Sequence, residues 1–267
     1  MTSRRHATAA SAPRESEYDR AAEPATVTIL GVRVHACSMR QSARRMEELF
    51  ASGTKHVIVP VNPEMIVAAR SHREFQDTIN AASLVLPDGT GVLLASRLQG
   101  TRIHERVPGA DAVELLSAIA ARSGAGVFLL GAAPGVAEAA GRCLKERHPK
   151  LLIAGTHAGS PELSEEEAIC GRINASKAEI LLVAYGAPRQ ELWVSRNLPR
   201  LNVRLVMSVG GTFDFLAGVK VRAPRWMQRA GLEWLFRLVQ EPRRWRRMLA
   251  LPKFALLALT ERVIQRS

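Results

Sequence analysis

The chain is short of the residues from which metal sites and disulfide frameworks are built. Its 267 residues include three cysteines (Cys37, Cys143 and Cys170), which lie far apart and form no CxxC pair. Its five aspartates form no DxD pair, and its seven histidines show no HxxxH spacing. The sequence therefore predicts no disulfide framework and no metal site, and its cysteine usage is typical of a reducing compartment.

Long hydrophobic runs and several catalytic signatures are also absent. The first residues contain no apolar stretch of the signal-peptide type, so no signal peptide is predicted. The longest apolar run near the C-terminus, Phe254–Leu259, is too short to span a bilayer. No stretch reads GxxxxGK[ST] or GxSxG, and no GxGxxG is followed by an acid about twenty residues on. These absences disfavour a P-loop enzyme, an elbow-type serine hydrolase and a nicotinamide dehydrogenase.

The charge that is present is concentrated near the C-terminus. The net charge is +12, and residues 220–267 hold 12 Lys or Arg against 3 Asp or Glu, whereas residues 26–219 hold 21 against 18. We therefore divide the chain into a disordered tail (1–25), an α/β domain (26–219) and a basic helical appendage (220–267). The basic appendage predicts a polyanionic neighbour, which is a nucleic acid, an anionic lipid surface or a phosphate-bearing substrate.

The body of the chain alternates short apolar strands with amphipathic helices. Strands are predicted at 27–30, 32–36, 56–61, 81–86, 127–130, 151–154, 180–184 and 205–209, and the first two form a hairpin. Predicted helix caps are Ser38, Ser71 and a capping box of Ser164 with Glu167. Regular alternation predicts a Rossmann-like α/β fold, in which a mostly parallel sheet is covered by helices on both faces.

The stretch 84–91 places an acid where open α/β sheets bind ligands. Asp88 follows an apolar strand, and Gly89 and Gly91 allow a ligand to approach the backbone closely. On position alone, Asp88 would equally serve as the cap of the next helix. Glycine-rich turns also follow the strands that end at Leu130, Ala154, Ala184 and Val209. Because such turns suit phosphates, they favour transfer from a nucleotide-activated donor with a carboxylate as the base.

The appendage is predicted to begin with one amphipathic basic helix that Pro242 ends. Trp226, Ala230, Trp234 and Leu238 form an apolar line, and the arginines of the same segment lie largely off it. Such a helix is typical of a membrane interface. An ordinary docking helix with its tryptophans in the core would show the same pattern.

A series of short motifs occurs in an order that one enzyme family shares. The motifs are Asn62-Pro63-Glu64, Pro87-Asp88-Gly89, the stretch 106–111, the stretch 186–191, the stretch 210–218, the stretch 222–226, Glu233-Trp234 and the stretch 241–244. The set resembles the WecG/TagA/CpsF glycosyltransferases over about residues 27–248. This resemblance implies an inverting, metal-independent transferase without a cofactor, which moves a sugar from a UDP-sugar donor to a hydroxyl of an undecaprenyl-diphosphate-linked sugar. It further implies bacterial surface polysaccharide synthesis by a peripheral enzyme on the cytoplasmic face of the cell membrane, and the occurrence of homo-oligomers.

The resemblance also implies roles for particular residues. Asp88 corresponds to the proposed catalytic base, which takes the proton from the acceptor hydroxyl. Gln190 is expected at the donor, with Arg189 in place of the family's Lys, and Arg222 and Arg225 are candidates for binding the diphosphate. The other predicted substrate-binding residues belong to the same motifs and turns: Asn62, Glu64, Gly89, Arg106, Gly109, Asp111, Gly131, Gly186, Glu191, Gly210, Gly211 and Asp214. The basic appendage is expected to contact an anionic membrane surface.

One position departs from the family pattern. Many relatives carry Thr two residues before the motif Asn, where this chain has Pro60. The transferred group is therefore N-acetylmannosamine, glucose or a related hexose, and the sequence does not choose among them. Two other functions stay open on the residues alone, a nucleic-acid-binding α/β protein with a basic tail and a Rossmann-type oxidoreductase. The resemblance ranks both behind the transferase, so no nucleic-acid partner is expected.

Overall fold

A computed structural model describes residues 24–264, apart from the side chains of Arg244 and of residues 262–264. Most of the predicted disordered tail, residues 1–23, lies outside the described residues. The described chain opens with β1 (Thr26–Ile29) and β2 (Val32–His35), which pair antiparallel. This pairing confirms the predicted hairpin.

The main sheet contains six parallel strands. They are β3 (His56–Val61), β4 (Leu84–Pro87), β5 (Gly126–Gly131), β6 (Leu152–His157), β7 (Ile180–Ala184) and β8 (Leu205–Ser208). Their spatial order is β4-β3-β8-β7-β5-β6. Parallel strands need crossover connections, and helices supply them here. The arrangement confirms the predicted α/β class and Rossmann-like architecture.

Helices connect the strands and complete the C-terminal part of the chain. In the body they are α1 (Met39–Ala51), α2 (Pro63–Arg70), α3 (Arg73–Ala81), α4 (Thr90–Leu98), α5 (Gly109–Ser123), α6 (Val136–Arg147), α7 (Glu166–Ala175), α8 (Arg189–Asn197) and α9 (Thr212–Leu216). The C-terminal helices are α10 (Arg225–Arg229), α11 (Glu233–Gln240), α12 (Trp245–Met248) and α13 (Ala250–Ile264).

The two faces of the sheet carry different helices because successive strand residues point to opposite faces. Ile58, Leu129 and Met207 pack on one face with side chains from α1, α5, α6 and α9. On the other face, Val59 packs with α2, α3, α4 and α13, and Val206 packs with α7 and α8. Burial on both faces explains why these strands are almost continuously apolar.

The structure confirms one of the three predicted serine caps. Ser38 begins α1 with a capping box, in which its side chain accepts a backbone N–H from the first turn. Ser71 instead ends α2, and the ring Nδ1 of His72 caps α3 by accepting a backbone N–H at 3.2 Å. The predicted Ser164/Glu167 box is wrong, because Ser164 lies in a 3₁₀ turn and α7 starts without a side-chain cap.

Two strand boundaries differ from the prediction by three residues, whereas the other differences in strand bounds are of one residue. β4 begins at Leu84, because Ala81 still belongs to α3. β6 continues through Gly155 to His157, because a bulge in its pairing with β5 carries the strand past the glycine. The turn at this strand end therefore starts after His157 rather than after Ala154.

The basic appendage does not begin with one continuous amphipathic helix. Gly231 has a φ of +74°, which L side chains rarely adopt, and it separates α10 from α11. A Cβ at this position would lie 2.4 Å from Thr90 Oγ1, so the break packs directly on α4. Trp226 and Trp234 consequently lie on different helices, with exposed fractions of 64% and 41%. The prediction of a single helix is wrong, and so is the alternative that buried these tryptophans in a core.

The last helix, α13, docks onto the α/β body. Phe254 and Ala258 are buried in the same hydrophobic cluster as side chains of α2 and α4. Near the end of α13, Glu261 accepts hydrogen bonds from the N–H of Leu30 (3.1 Å) and from Gln99 Nε2 (2.7 Å). Among residues 24–264, no helix is both long and apolar enough to cross a membrane.

Candidate active site

Two cavities open at the carboxyl edge of the sheet and meet at Asp88. The polar cavity, of about 290 Å³, lies over the ends of β3, β7 and β8, and its wall includes Pro60, Gly109, Gly186, Gln190, Gly210, Lys220 and Arg222. The apolar cavity, of about 580 Å³, lies between α4, α11 and α13, and its wall includes Leu94, Leu98, Trp234, Leu251, Phe254 and Ala258. Asn62, Asp88, Glu233 and Arg237 line both cavities. Ligands of open α/β sheets bind in this position.

Asp88 is held at the junction by its neighbours in the sheet. Its N–H donates to the carbonyl oxygen of Val61 at 2.8 Å, and its carboxylate accepts the N–H of Gly109. The N-cap of α4 is Gly89, so the alternative capping role of Asp88 is wrong. Asp88 therefore presents its carboxylate at the place where the two cavities meet.

Charged groups around Asp88 shift its pKa in opposite directions. Burial raises the pKa of Asp88, the positive charges of Arg237 and Arg106 oppose this rise, and the negative charge of Glu233 adds to it. A carboxylate with a raised pKa is a stronger proton acceptor than an exposed aspartate. The environment of Asp88 therefore suits a general base.

Three arginines converge on Glu233 beside Asp88. Glu233 accepts hydrogen bonds from Arg106 Nη1 (3.0 Å) and Arg237 Nη2 (3.2 Å), and Arg222 Nε lies 3.8 Å from its Oε1. Arg222 also pairs with Asp111, through an Nη2–Oδ2 bond of 3.0 Å. The cluster joins α11 to the body, so residues of the basic appendage complete the site.

Gln190 braces two of the glycine turns that border the polar cavity. Its Oε1 accepts the N–H of Gly186 (3.0 Å) and of Gly210 (3.1 Å), and its Nε2 donates to Glu191 Oε1 (2.8 Å). Both ends of its amide are thereby occupied, and the residue is 4% exposed. Two N–H groups that were predicted to face a phosphate are bound to Gln190 instead. These two N–H groups are therefore occupied, and the cationic side chains of the wall are further groups that suit an anion.

Glu191 is a buried carboxyl beneath the polar cavity. Burial raises its pKa from 4.5 to about 7, against the hydrogen bond from Gln190. Because the folded state favours the protonated carboxyl, this group contributes stability below the unfolded pKa of 4.5 and loses that contribution as the pH rises through about 7.

Glu191→Gln is expected to stabilise the protein at neutral and higher pH. The amide is neutral at every pH and keeps an acceptor for Gln190, so the gain in free energy of unfolding grows with pH to about 3 kcal/mol above the folded pKa. Urea unfolding from below pH 4.5 to above pH 7 measures this gain in free energy of unfolding. The substitution Glu146→Gln at an exposed position is the control. A wild-type stability that stays level through this range, or a Glu191→Gln variant with the same slope as the wild type, contradicts the prediction.

Comparison with known proteins assigns the chain to a family. Residues 27–267 match the family described as "Glycosyl transferase WecG/TagA/CpsF family". The chain belongs to this family. An N-acetylglucosaminyldiphosphoundecaprenol N-acetyl-beta-D-mannosaminyltransferase of Bacillus subtilis (strain 168) is 34% identical over 205 residues, which cover 77% of this chain and 79% of the relative. A protein of the same name from Staphylococcus aureus (strain MRSA252) is 34% identical over 232 residues, covering 86% and 91%.

Family membership confirms the resemblance seen in the sequence. The protein is a glycosyltransferase, which is the function that the sequence ranked ahead of an oxidoreductase and a nucleic-acid-binding module. Most of its predicted site residues lie on the walls of the two cavities: Asn62, Glu64, Asp88, Gly89, Arg106, Gly109, Gly186, Gln190, Gly210, Gly211 and Arg222. The carboxyl edge of a parallel sheet brings these scattered motifs of the glycosyltransferase together.

Three predicted residues lie one layer behind the cavity walls. Asp111 is paired with Arg222, and Asp214 Oδ2 lies 2.9 Å from Lys220 Nζ. Glu191 lies beneath Gln190. These three carboxyls hold lining side chains in place rather than facing the cavities.

Three more predicted residues lie away from both cavities. Gly131 packs against β7, and a Cβ there would lie 2.8 Å from the carbonyl carbon of Ala184. Arg189 donates to the carbonyl oxygen of Tyr185 at 3.3 Å, and Arg225 is exposed. The binding roles of these three residues stay predictions, because the residues do not line either cavity.

Sequence reasoning did not single out Glu233, Arg237 or Lys220 as site residues. Glu233 and Arg237 are one turn apart on α11, which is the spacing of an ordinary helix ion pair. Lys220 Nζ lies 3.0 Å from Glu241 Oε1 as well as close to Asp214. The i, i+4 pair was visible in the sequence, but only the docking of α11 shows that it faces Asp88.

Proposed function

We propose that this glycosyltransferase moves a hexosyl group from a UDP-sugar to a hydroxyl of a sugar carried on undecaprenyl diphosphate, with inversion and without a metal ion. In this proposal it serves bacterial surface polysaccharide synthesis, peripherally on the inner face of the cell membrane. The names of the two relatives give N-acetylglucosaminyldiphosphoundecaprenol as acceptor and N-acetyl-β-D-mannosaminyl as the transferred group. The observation that carries the proposal is the position of Asp88 where a polar and an apolar cavity meet.

The polar cavity suits the nucleotide diphosphate of the donor. Its wall carries the positive charges of Lys220, Arg222, Arg237 and Arg247. The carboxylates of Asp88, Glu233 and Glu241 lie on the same wall. Within the described part of the chain, the buried Nε of Arg237 has no hydrogen-bond partner. A phosphate oxygen supplies the acceptor that such a guanidinium group lacks. We therefore assign the donor diphosphate to this cavity.

The apolar cavity suits the lipid end of the acceptor. Leu94, Leu98, Leu251 and Phe254 give it a hydrocarbon wall next to Asp88. In our proposal the first prenyl units enter this cavity, so that the diphosphate-linked sugar reaches the base. Residues 225–259 expose several apolar side chains beside many arginines, and the apolar ones include Trp226, Trp234, Trp245, Leu249 and Leu256. This combination supports contact with an anionic membrane surface.

The transfer requires one proton acceptor and several positive charges. Asp88 takes the proton of the acceptor hydroxyl while that oxygen attacks the anomeric carbon. The bond from the anomeric carbon to the diphosphate oxygen breaks, and UDP leaves with the electron pair. Attack from the face opposite UDP inverts the anomeric centre. Arg237 and Lys220 offset the negative charge that develops on UDP, which is why the proposal includes no metal ion.

The direct test is transfer itself. Release of UDP is expected from at least one UDP-hexose in the presence of a prenyl-diphosphate-linked N-acetylglucosamine, and it is expected to persist in EDTA. Because Pro60 presents an apolar ring to the polar cavity, UDP-glucose is tested beside UDP-N-acetylmannosamine. Nuclear magnetic resonance of the product gives the anomeric configuration and hence tests inversion.

Thermal unfolding provides the control for this test. UDP at about 100 times its dissociation constant is expected to add roughly 2.7 kcal/mol to the free energy of unfolding, with and without EDTA. NAD and a short oligonucleotide are expected to add nothing. Stabilisation by either of these without any response to UDP contradicts the proposal, and complete loss of transfer in EDTA contradicts its metal-independent part.

A further inference from the structure

Glu233 is the residue at which separate parts of the chain meet beside the base. It is the first residue of α11, and it is 9% exposed. Arg106 reaches it from the loop before α5, Arg222 from the loop after α9, and Arg237 from the next turn of α11. A single carboxylate therefore orients the guanidinium groups of Arg106 and Arg237 by hydrogen bonds and lies 3.8 Å from Arg222 Nε.

The hydrogen bonds to Glu233 leave these guanidinium groups with further donors. A guanidinium group carries five N–H donors, and Arg106 and Arg237 each use one of them on Glu233. Arg106 lines the apolar cavity, and Arg237 lines both cavities at their junction. The remaining donors have the planar geometry that binds two phosphate oxygens at once. Glu233 thus fixes the direction of the two arginines without occupying them.

Glu233 also acts on Asp88 through its charge. Charged groups that interact with Asp88 include Arg106, Arg222, Arg237 and Glu233. The walls of the two cavities also carry the charged residues Glu64, Lys220, Glu241 and Arg247. Arg237 and Arg106 lower the pKa of Asp88 against the effect of burial, whereas Glu233 raises it. Without the negative charge of Glu233, the arginines that bind phosphate would make Asp88 a weaker base.

We propose that Glu233 is a positioning residue of the transfer reaction, which aims Arg237 at the donor diphosphate, holds Arg106 at the wall of the apolar cavity, and prevents the arginine cluster from weakening Asp88 as a base. The inference rests on the proposed function, because it takes Asp88 as the base and a diphosphate as the bound group. Glu233 itself touches no reacting atom; it acts through the two arginines and through its charge.

The test measures kcat and KM for the UDP-sugar across the acid limb of the pH profile. Glu233→Gln is expected to raise KM about tenfold, the scale of one lost charge-assisted hydrogen bond. It is also expected to move the acid limb of kcat/KM to lower pH, because the loss of a negative charge lowers the pKa of Asp88. Glu233→Asp keeps the negative charge, so the acid limb of kcat/KM is expected to stay at the wild-type pH. Because the shorter side chain reaches the arginines less well, KM is expected to rise.

Glu166→Gln is the matched control. Glu166 is also a buried carboxylate bound to an arginine, at 2.7 Å from Arg196 Nη2, but it lies on α7 away from both cavities. This variant is expected to change neither KM nor the pH profile. If Glu233 served only to stabilise the fold, its replacement would leave the acid limb of kcat/KM unchanged. The position of this limb therefore distinguishes a positioning role of Glu233 from a purely structural one.

Two results would overturn the inference. One is an unmoved acid limb in a folded Glu233→Gln variant, which would reduce Glu233 to a docking contact of α11. The other result concerns the Glu233→Asp variant and is decisive if Glu233→Gln does not fold. It is a KM for the UDP-sugar that equals the wild-type value. Failure of the proposed function is recognised separately, because the wild type would then release no UDP or Asp88→Asn would be fully active.

Discussion

Asp88→Asn is expected to lower turnover by about two orders of magnitude or more, the usual contribution of a positioned general base. The amide is nearly isosteric with the carboxylate and keeps an acceptor for the N–H of Gly109, but it cannot take a proton from the acceptor hydroxyl. Because the loss falls on proton transfer, KM for the UDP-sugar is expected to change little. Initial rates of UDP release measure both constants.

The pH profile of the wild type provides a second readout of Asp88. A base must be ionised to act, so kcat/KM falls as the pH drops through its pKa. Since burial raises the pKa of Asp88, the acid limb is expected at a higher pH than for an ordinary aspartate, and it should vanish in Asp88→Asn.

Asp77→Asn is the matched control for Asp88→Asn. Asp77 is exposed on α3, where it pairs with Arg73 one turn away at 3.0 Å. It is expected to keep wild-type turnover. An Asp88→Asn variant with near wild-type turnover and a normal unfolding temperature would show that another group is the base.

Arg237→Gln is expected to lower kcat/KM about a hundredfold, the scale on which loss of one preorganised donor reduces catalysis. The guanidinium of Arg237 is held by Glu233 and stacks over Phe215, with its Cζ at 4.8 Å from the ring centroid. It is thereby fixed at the junction of the two cavities, where the proposed reaction develops charge on the leaving UDP. Arg237→Lys keeps the charge but not the planar donor pair, so an intermediate loss is expected.

Arg204→Gln is the control for Arg237→Gln because its surroundings are similar and its position is different. Arg204 pairs with Glu179 at 3.1 Å and stacks over Phe50 at 5.3 Å, but it precedes β8 at the opposite edge of the sheet. Unfolding temperatures and kcat/KM are measured for both variants. Equal losses of kcat/KM would attribute the effect to packing and contradict the role of Arg237 in the transfer.

Local chemistry explains why some boundaries were predicted and others were not. β3 and β7 begin and end at the predicted residues, because each is an apolar run bounded by polar or turn-forming residues. Ser71 and His72 are adjacent residues that can both accept a backbone N–H. The choice between them depends on where α2 ends, and the spacing of apolar residues does not specify that.

The sequence by itself determined the α/β class, the parallel sheet and the position of Asp88 at a strand end. These follow from periodicity, because an alternation of short apolar strands with amphipathic helices has few ways to bury its apolar faces. The sequence also predicted that the family motifs lie at one edge of the sheet, because parallel strands present their carboxyl ends on the same side. The family resemblance added the role of Asp88 and the class of reaction.

Only the tertiary structure decided how the C-terminal residues enter the site. Glu233 is bound by Arg106 from 127 positions away, and Asp111 is bound by Arg222 from 111 positions away. The sequence predicted one basic helix on the surface, whereas Gly231 turns α11 so that Glu233 and Arg237 face Asp88. The apolar cavity likewise exists because α13 docks beside α4. Such contacts depend on how distant helices pack against one another, and a local pattern carries no information about that packing.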